Sequence, residues 1–591
     1  MHLKRLIVKN FRNLRYVDIA LTAGINIVVG DNGAGKTNIT RALRLLLDPA
    51  VSSQGRDLSA EDFFAGSGGP GKASEILIAG EFAFNPDDER ESNFANELLG
   101  GDDGIPRLVY RFRPNPGVAF QLDHGGLVDG NLRLEDYVSQ RVVGTTRDLE
   151  ALSWRDDLGG EPKESKLRQY HLIELPALRD VEQALKSQRS SPLYRLLQTI
   201  QIDPDSQRAI LVALKEANDS IEERDSFREL ADAISSSYAG LVGDIEPLTV
   251  SLGFSEPTLS QLLRTLGLFV STEENAVAHG VDRNGLGFNN LLYAAMQIEY
   301  FRRRIQERRA GQLLIIEEPE AHLHPHAQEA FVQTLSEQQF QTIVTTHSAH
   351  VTASSGINAI VALTRTEGAA TASNLAARAN LSDAESSDLS RYLDATKASL
   401  LFARKVLLVE GASELMLLPM FARRMKINLA KRAISVIAMQ GTHFDVFAKL
   451  FQTGALAMRA AILADGDQFR DDEGRAQAVF DDGAQVVRGG TDFVRTFSNR
   501  TTLEYAICQA NSLMAIRDTS RELGAVRALQ VFDRAIASET DADMAEAQLH
   551  TWRVASRYGK ARFAQLLAGK KFDPPAYISD ALRWLDRGDE T

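Results

Sequence analysis

Two groups of residues in this chain have the types and spacing needed for phosphate chemistry, and they lie far apart in the sequence. The first is a glycine-rich run at residues 30–37, which reads Gly-Asp-Asn-Gly-Ala-Gly-Lys-Thr. The second is a set of carboxylates near the C-terminal third of the chain: Glu410, Glu414, Asp465 and Asp467. The first pattern predicts nucleotide binding. The second predicts a cation held by hard oxygen ligands.

The glycine-rich run has the strand, loop and helix context that a phosphate-binding P-loop requires. Residues 25–29 predict a strand that leads into it, and residues 38–47 have helical apolar spacing. Glycines let backbone N–H groups approach the phosphates, and the helix N-terminus favours negative charge. We expect Lys36 to reach the β- and γ-phosphates of ATP and the Thr37 hydroxyl to ligate Mg²⁺. The expected nucleotide-binding positions are Asn32, Gly33, Gly35, Lys36, Thr37 and Asn38.

A second buried strand is predicted at residues 313–316, and it ends in Glu317 and Glu318. The carboxyl edge of such a parallel strand faces the nucleotide. We therefore assign Glu317 to the Mg²⁺ shell and Glu318 to polarising the attacking water. Residues 342–346 predict another strand, which ends at His347. This histidine resembles the switch histidine of ABC-type ATPases, which contacts the γ-phosphate.

The sequence between Lys36 and Glu317 is much longer than the internal connections of one ATPase fold, so we expect an insertion. Residues 180–240 are polar with helical periodicity, which suits a helical arm or a dimerisation element. Further along, residues 280–287 form a glycine-rich stretch that leads into a predicted helix. This stretch loosely resembles the ABC signature, which binds the γ-phosphate of the ATP held by the partner subunit.

The C-terminal acids also follow predicted strands. Residues 406–409 predict a strand that ends at Glu410, with Glu414 on the next helical turn, and residues 461–463 predict a strand followed by Asp465 and Asp467. Parallel strands bring such residues to one crevice, where they would hold Mg²⁺ or Mn²⁺. One ion would suit topoisomerase-like or primase-like chemistry, whereas two ions would activate a water and stabilise the leaving oxygen, which is hydrolysis.

Two further residues discriminate between these chemistries. Glu504 is a candidate ligand for a second metal ion, and Lys560 is a candidate for neutralising charge that develops on the phosphate. Taken alone, a glutamate of this kind is more often a helix-surface residue, and such a lysine is more often simply solvated. The residues by themselves leave both interpretations open.

Length and composition limit the number of domains and the classes of function that the chain can have. A chain of 591 residues is expected to form about two to four domains. The single cysteine, Cys508, excludes an intramolecular disulfide and a cysteine-cluster zinc site. The net charge of −13 argues against DNA binding over the whole surface but allows a local basic groove. No apolar run approaches membrane-spanning length, and Met1 leads directly into a predicted strand, so we expect no membrane contact, no signal peptide and a cytoplasmic location.

These motifs occur in the order seen in nucleases of the OLD (overcoming lysogenisation defect) family, which the chain resembles. The segments that carry the resemblance are the P-loop, residues 316–325, 346–348, 401–404, 409–411, 465–467 and 502–504, and Lys560. The resemblance implies an α/β fold in which an ABC-type, SMC/RecF-like P-loop ATPase with a helical dimerisation insertion precedes a Rossmann-like Toprim domain. We place the ATPase at residues 1–160 and 251–390, the helical insertion at 161–250 and the Toprim domain at 391–591.

The same resemblance implies an ATPase and a metal-dependent DNA endonuclease that cuts by two metals, in phage defence or DNA processing. It implies ATP and Mg²⁺ as cofactors, with Mn²⁺ or Ca²⁺ as alternatives at the nuclease site, and DNA, a second copy of the chain and a UvrD-like helicase as partners. By this likeness Lys560 assists catalysis and metal is carried by Glu410, Glu414, Asp465, Asp467 and Glu504.

Two other function classes fit parts of the pattern. A RecF-like recombination or repair ATPase would use its Toprim unit only for binding, and it predicts DNA-stimulated ATP hydrolysis without strand scission. A Toprim topoisomerase or primase relative predicts relaxed circles or RNA primers rather than nicks.

Overall fold

The computed structural model describes residues 1–48, 58–72, 74–100, 103–124, 132–144, 148–156, 158–175, 185, 191–222, 224–242, 248–250, 252, 258–271, 278–305, 310–366, 368–440, 444–466, 468–470, 476–478, 493–538 and 540–586. The chain divides into two compact units. The first unit comprises Met1–Pro176 together with Ala310–Thr591, and the second comprises Ala177–Arg309. Asp467 lies outside the described residues.

The N-terminal part of the first unit is mainly β structure. Its elements are β1 (His2–Phe11), β2 (Leu14–Ala20), β3 (Ile25–Gly30), α1 (Lys36–Leu47), β4 (Ile76–Ala83), α2 (Glu89–Leu98), β5 (Arg107–Pro114), α3 (Pro116–Asp123), β6 (Tyr137–Val143), α4 (Glu164–Leu167) and β7 (Tyr170–Leu175). Five of these strands form an antiparallel sheet in the order β2-β1-β4-β5-β6.

The second unit is largely helical over its described residues. Its elements are α5 (Pro192–Leu197), α6 (Pro204–Glu222), α7 (Asp225–Val242), α8 (Leu259–Thr265), β8 (Phe269–Val270), β9 (His279–Gly280) and α9 (Leu286–Ile305). The helices predicted within residues 180–240 are therefore confirmed in the described part of that range. Their role in dimerisation stays a prediction, as do the predicted domain boundaries.

The chain then returns to the first unit and completes the sheet that carries the P-loop. The elements are β10 (Gly311–Glu317), α10 (Pro325–Ser336), β11 (Gln341–Thr346), α11 (Ala349–Ala353), β12 (Ile360–Thr366), β13 (Ala369–Asn374), α12 (Leu375–Arg378), α13 (Asp383–Tyr392) and α14 (Ala395–Ala398). The sheet order is β13-β12-β3-β11-β10-β7, and only β13 runs antiparallel to its neighbour. All six residues of β3 are buried, which is typical of a parallel strand covered on both faces.

The C-terminal region builds a separate parallel sheet. Its elements are β14 (Lys405–Val409), α15 (Ala412–Arg424), β15 (Ile434–Ala438), α16 (Phe444–Gln452), β16 (Arg459–Ala464), β17 (Gln468–Arg470), β18 (Ala476–Ala478), β19 (Val494–Ser498), α17 (Leu503–Ile507), α18 (Leu513–Glu522), α19 (Val526–Ser538), α20 (Asp541–Tyr558), α21 (Lys560–Leu567) and α22 (Ala576–Asp586). The parallel order is β15-β14-β16-β19. The predicted α/β class with parallel sheets is confirmed.

Both parallel sheets place the ends of apolar strands where the predicted chemistry lies. β14 is buried along its whole length and ends directly before Glu410, and β10 ends at Glu317. Among the described residues, no helix is long and apolar enough to cross a membrane.

Candidate nucleotide site and acidic site

The loop between β3 and α1 has the backbone that a P-loop needs. Gly33 and Gly35 have φ values of 76° and 112°, a region that L-amino acids with side chains rarely adopt. A Cβ atom added at Gly35 would lie 2.8 Å from the side-chain oxygen of Asn13. Both positions therefore require glycine. The loop has the glycine-dependent backbone that the sequence predicted for a P-loop.

Lys36 begins α1 and points back into this loop. Its Nζ donates to the backbone oxygen of Gly30 at 2.8 Å and lies 3.3 Å from that of Asp31. The residue is only 7% exposed, and this burial lowers the pKa of its ammonium, while the nearby carboxylates of Glu318 and Glu320 oppose the shift. The ammonium is thus held within the loop that the sequence assigns to the phosphates.

The acidic edge of the same sheet lies beside Lys36. His347 Nδ1 is 3.4 Å from Lys36 Nζ, and His347 Nε2 is 3.8 Å from Glu318 Oε1. Glu318 has a φ of 45°, and its N–H donates to the backbone oxygen of Thr345 at 2.8 Å. The structure therefore brings together Lys36, Glu318 and His347, which the sequence placed at the ends of separate strands. Burial, followed by the charge of Lys36, lowers the pKa of His347.

Glu317 lies one residue earlier, at the end of β10. Its Oε1 accepts a hydrogen bond from the Thr40 hydroxyl at 2.5 Å, which ties the strand to α1. In the sheet it is paired with Thr345 of β11. Thr37, one turn before Thr40 on α1, is exposed. The predicted roles of Glu317 and Thr37 at Mg²⁺ stay predictions.

Sequence reasoning missed residues that support this site. Arg12 and Asn13 form the turn between β1 and β2: Arg12 Nη1 donates to Asn38 Oδ1 at 3.0 Å, and Asn13 Nδ2 donates to the backbone oxygen of Gly33 at 3.2 Å. Asn38 Nδ2 in turn donates to Asn13 Oδ1 at 2.7 Å. A polar turn between two apolar strands was visible in the sequence, but nothing local indicated that it contacts the P-loop.

Glu320 was also missed. Its Oε1 accepts the backbone N–H of His347 at 2.6 Å, which fixes the end of β11 against the turn that follows β10. Its Oε2 is buried and has no hydrogen-bond partner among the residues that the structure describes. The signature-like residues 280–287 belong to the second unit, where β9 ends at Gly280 and α9 begins at Leu286. Their predicted role at a partner's ATP stays a prediction.

The C-terminal acids meet at the carboxyl edge of the second parallel sheet. β14 and β16 are parallel neighbours, so Glu410 and Asp465 follow adjacent strand ends. The backbone N–H of Asp465 donates to Glu410 Oε1 at 2.7 Å. Glu414 lies on the first turn of α15, where its Oε2 accepts the Gly411 N–H at 3.1 Å. The predicted convergence of these strands on one crevice is thus present in the structure.

The Asp465 carboxylate is half-buried and lies near other acids. Its Oδ1 accepts from Asn499 Nδ2 at 3.0 Å, and its Oδ2 accepts from the Leu503 N–H at 2.8 Å. Burial, followed by the charge of Glu410, raises the pKa of Asp465 to about 8. Burial also raises the pKa of Glu414, and the charge of Glu504 adds to that shift. Burial is the larger cause of both shifts, and the added repulsion shows that these carboxylates lie near one another.

Glu504 and Lys560 complete this environment. Glu504 lies on α17 and is only 3% exposed, so the interpretation of this residue as part of a helix surface is wrong. Lys560 begins α21 and is half-exposed, with its Nζ 3.4 Å from Glu504 Oε2. The two groups form an ion pair without an aligned hydrogen bond, and Glu504 Oε2 has no hydrogen-bond partner within the described parts of the chain.

Comparison with known proteins identifies both modules. Residues 1–100 and 163–352 match the family described as AAA ATPase domain. Residues 401–467 match the family described as Overcoming lysogenization defect protein-like, TOPRIM domain. The chain is similar to proteins of the OLD family. The segment that matches the Toprim model includes Glu410, Glu414 and Asp465.

Two relatives are similar over most of their length. The Old nuclease of Escherichia phage P2 is 26% identical over 481 residues, covering 78% of this chain and 76% of the relative. The OLD nuclease of Thermus scotoductus is 25% identical over 460 residues, covering 74% of this chain and 77% of the relative. Among solved structures, the C-terminal region of the Burkholderia pseudomallei OLD protein is 28% identical, with a TM-score of 0.26, and covers 31% of this chain and 98% of that one. By the two family matches, the chain combines an ATPase domain with an OLD-like Toprim domain.

The chemistry of the acidic site fits a divalent cation. Its candidate ligands are carboxylate oxygens, which hard cations prefer. Glu504 contributes a buried oxygen that has no hydrogen-bond donor among the described residues and forms an ion pair with Lys560. Over the described ranges, however, no three His, Cys, Asp or Glu residues are arranged as a complete metal site. Asp467, the further predicted ligand, is outside those ranges. The set of metal ligands therefore stays a prediction.

Proposed function

We propose that this chain is an ATP-regulated, divalent-metal-dependent DNA endonuclease that acts in phage defence or DNA processing. One observation carries the proposal: the Asp465 N–H donates to Glu410 Oε1 at 2.7 Å, which joins the acidic ends of two parallel strands. Glu504 and Lys560 belong to the same site through the charge that Glu504 exerts on Asp465. The nuclease names of the relatives support the same function.

We assign the cation to the carboxylates of this site. Glu410, Glu414, Asp465 and Glu504 would hold it, and Asp467 is the predicted further ligand. A bound Mg²⁺ or Mn²⁺ supplies Lewis-acid polarisation of a phosphate oxygen and lowers the pKa of water, and two such ions suit hydrolysis. Ca²⁺ is the predicted alternative. Burial raises the pKa of Asp465 and Glu414, which means that their ionised forms are disfavoured. A bound cation would stabilise these ionised carboxylates.

Lys560 acts on the DNA phosphate in this proposal. Its ammonium is half-exposed and lies 3.4 Å from a Glu504 oxygen, so it is anchored on one side and open to solvent on the other. A cation in this position neutralises negative charge as it develops on a phosphate oxygen. Glu504 therefore both contributes to the acidic site and holds the lysine beside it.

ATP hydrolysis is assigned to the P-loop site. Lys36 exchanges its contacts with the Gly30 and Asp31 backbone oxygens for phosphate oxygens, and Glu318 orients the attacking water beside His347. Asn32, Gly33, Gly35, Thr37 and Asn38 supply the remaining contacts to the nucleotide, and Glu317 with Thr37 holds its Mg²⁺. The N-terminus of α1 would stabilise the negative charge of the ATP phosphates.

The proposed assembly is a homodimer on DNA, in which the signature-like residues 280–287 complete the partner's ATP site. The cytoplasmic location and the UvrD-like helicase partner stay predictions. ATP regulation is supported by a contact between the P-loop and the segment before β14: Arg404 Nη2 lies 3.0 Å from Asp31 Oδ2. Nucleotide-dependent movement of Asp31 would reach the strand that ends at Glu410.

The experiment that tests the function uses supercoiled plasmid, the purified full chain and Mg²⁺ or Mn²⁺, with and without ATP. The proposal predicts nicked and linear products that require the divalent cation and respond to ATP. DNA-stimulated ATP hydrolysis with intact plasmid would instead favour the RecF-like function, in which the Toprim unit only binds DNA. Relaxed closed circles would favour a topoisomerase relative.

A further inference from the structure

The loop that joins β19 to α17 encloses the Asp465 carboxylate. Asn499 begins this loop, and its Nδ2 donates to Asp465 Oδ1 at 3.0 Å. Leu503 ends it, and its backbone N–H donates to Asp465 Oδ2 at 2.8 Å. Both carboxylate oxygens are therefore held by one short segment, although Asp465 follows a different strand, β16.

Asn499 is itself held in a defined orientation. Its Oδ1 accepts the backbone N–H of Thr501 at 2.6 Å and lies 3.3 Å from the Thr501 hydroxyl, which is the geometry of an Asx turn. Because the amide oxygen is used in this turn, the amide nitrogen faces Asp465. The Tyr577 hydroxyl also lies near the Asn499 side chain.

The backbone around Asp465 leaves little freedom for adjustment. The Gly466 N–H donates to the Thr501 backbone oxygen at 2.9 Å. A Cβ atom at Gly466 would lie 2.4 Å from the Asn499 backbone oxygen and 2.7 Å from the Arg500 carbonyl carbon. The loop is thus packed directly against the residue that follows Asp465, and it continues into α17, which carries Glu504. One segment fixes Asp465 and leads to the next carboxylate of the site.

The chemistry of these donors matters as much as their position. The groups that hold Asp465 are neutral, an amide N–H and a backbone N–H, rather than an arginine or a lysine. A neutral donor orients the carboxylate without cancelling the charge that attracts a cation. Glu504, at 3% exposure, adds a buried oxygen that has no hydrogen-bond partner among the described residues and whose ion-pair partner is the Lys560 ammonium at 3.4 Å, so a bound cation would share this oxygen with Lys560.

We propose that Asn499 is a positioning residue that orients the Asp465 carboxylate for binding a divalent cation. The inference rests on the proposed cation site. Partners of this kind, which hold a metal ligand in place, typically contribute about 10- to 100-fold to metal affinity. Asn499 touches neither DNA nor the reacting phosphate in this account, so its loss acts through Asp465.

Two substitutions distinguish a role of Asn499 in positioning Asp465 from a role in the turn alone. In Asn499→Thr, the hydroxyl can still accept the Thr501 N–H, but the amide donor to Asp465 is lost. In Asn499→Ser, the hydroxyl can cap the same turn but is too short to reach Asp465. A role in positioning predicts that both variants bind Mn²⁺ about 10- to 100-fold more weakly than the parent chain. A role in the turn alone predicts parental affinity for both.

The measurement is calorimetric titration of Mn²⁺ into the full chain without DNA, together with the melting temperature in EDTA and the ATPase rate as readouts of folding. Ser498→Ala is the matched control, because it changes an exposed side chain directly before Asn499 and keeps the Asn499–Thr501 turn; it is expected to bind Mn²⁺ like the parent. If one Asn499 variant does not fold, the Mn²⁺ affinity of the other variant decides between the two roles.

Asp465→Ala tests the cation site separately from the positioning role of Asn499. Weak Mn²⁺ binding by Asp465→Ala and by the folded Asn499 variants supports both the site and the positioning role. Weak binding by Asp465→Ala with parental binding by the Asn499 variants overturns the positioning role and leaves the cation site in place. Parental binding by Asp465→Ala overturns the cation site itself.

Discussion

Arg404 forms an ion pair with Asp31, the second residue of the P-loop. Its Nε and Nη2 atoms lie 3.1 and 3.0 Å from Asp31 Oδ2, while Asp31 Oδ1 accepts the Asn32 N–H at 2.8 Å. The pair borders a cavity of about 450 Å³, whose wall also includes Met458, directly before β16. The two strands that carry Glu410 and Asp465 therefore begin beside the P-loop and end at the acidic site.

This contact predicts that Arg404→Ala uncouples the two chemistries. We expect the change in plasmid cleavage caused by ATP to shrink several-fold, while ATP hydrolysis and cleavage without ATP stay close to parental values. Both side chains are largely exposed, so the pair contributes little to stability and the melting temperature should hardly change. Arg365→Ala, which removes another arginine from the same cavity wall, is the control. An undiminished ATP response in Arg404→Ala would refute the coupling.

Lys36→Ala is expected to reduce ATP turnover to background. Lys36 is the buried ammonium of the P-loop, and the proposed mechanism gives it the β- and γ-phosphates. Metal-dependent nicking in the absence of ATP should persist, because the acidic site is built from other elements. A phosphate-release assay measures turnover, with Lys72→Ala, an exposed lysine, as control. Normal ATPase activity in Lys36→Ala would falsify the P-loop assignment.

Glu318→Gln is expected to retain ATP binding and lose hydrolysis by orders of magnitude. The substitution keeps the shape of the side chain beside His347 but removes the carboxylate that orients water. Equilibrium binding of a fluorescent ATP analogue, measured alongside turnover, separates the two effects. Glu329→Gln, which removes a carboxylate near His350 instead, is the matched control. Unchanged turnover in Glu318→Gln would remove this residue from the mechanism.

Dimerisation is expected to be required for ATP hydrolysis. The signature-like residues 280–287 are proposed to complete the ATP site of a second copy, so turnover per chain should rise with protein concentration as dimers form. Light scattering and ATPase rates measured over the same concentration range test this expectation. A strictly monomeric chain with full activity would rule it out.

Elements and motifs with a local pattern could be predicted from the sequence. The P-loop, the strands that end at Glu317, Glu410 and Asp465, and the helices around them depend on residues close together in the chain. The contacts that support the sites depend instead on pairing between distant segments. The Arg12 contact with Asn38 requires the β1–β2 turn to fold over α1, and no local pattern specifies that approach.

Glu504 illustrates the same limit. A glutamate on a short helix is usually exposed, but α17 follows the loop that encloses Asp465 and buries Leu503 and Ile507 in the core. Tertiary packing therefore brings this carboxylate inside, where its charge acts on Asp465 and Glu414. Only the structure, or the resemblance to OLD-family nucleases, distinguishes it from a surface residue.

The most direct test of the account is plasmid cleavage by Asp465→Ala, measured with Mg²⁺ or Mn²⁺ and alongside ATP hydrolysis by the same protein. We predict that cleavage falls by orders of magnitude, because a half-buried carboxylate of the proposed cation site is lost, while ATPase activity persists. Glu504→Ala and Lys560→Ala should also cleave poorly. Asp580→Ala, which removes an exposed carboxylate of the C-terminal region, should cleave like the parent chain. If Asp465→Ala nicks plasmid like the parent chain, the nuclease centre lies elsewhere and the proposed function is wrong.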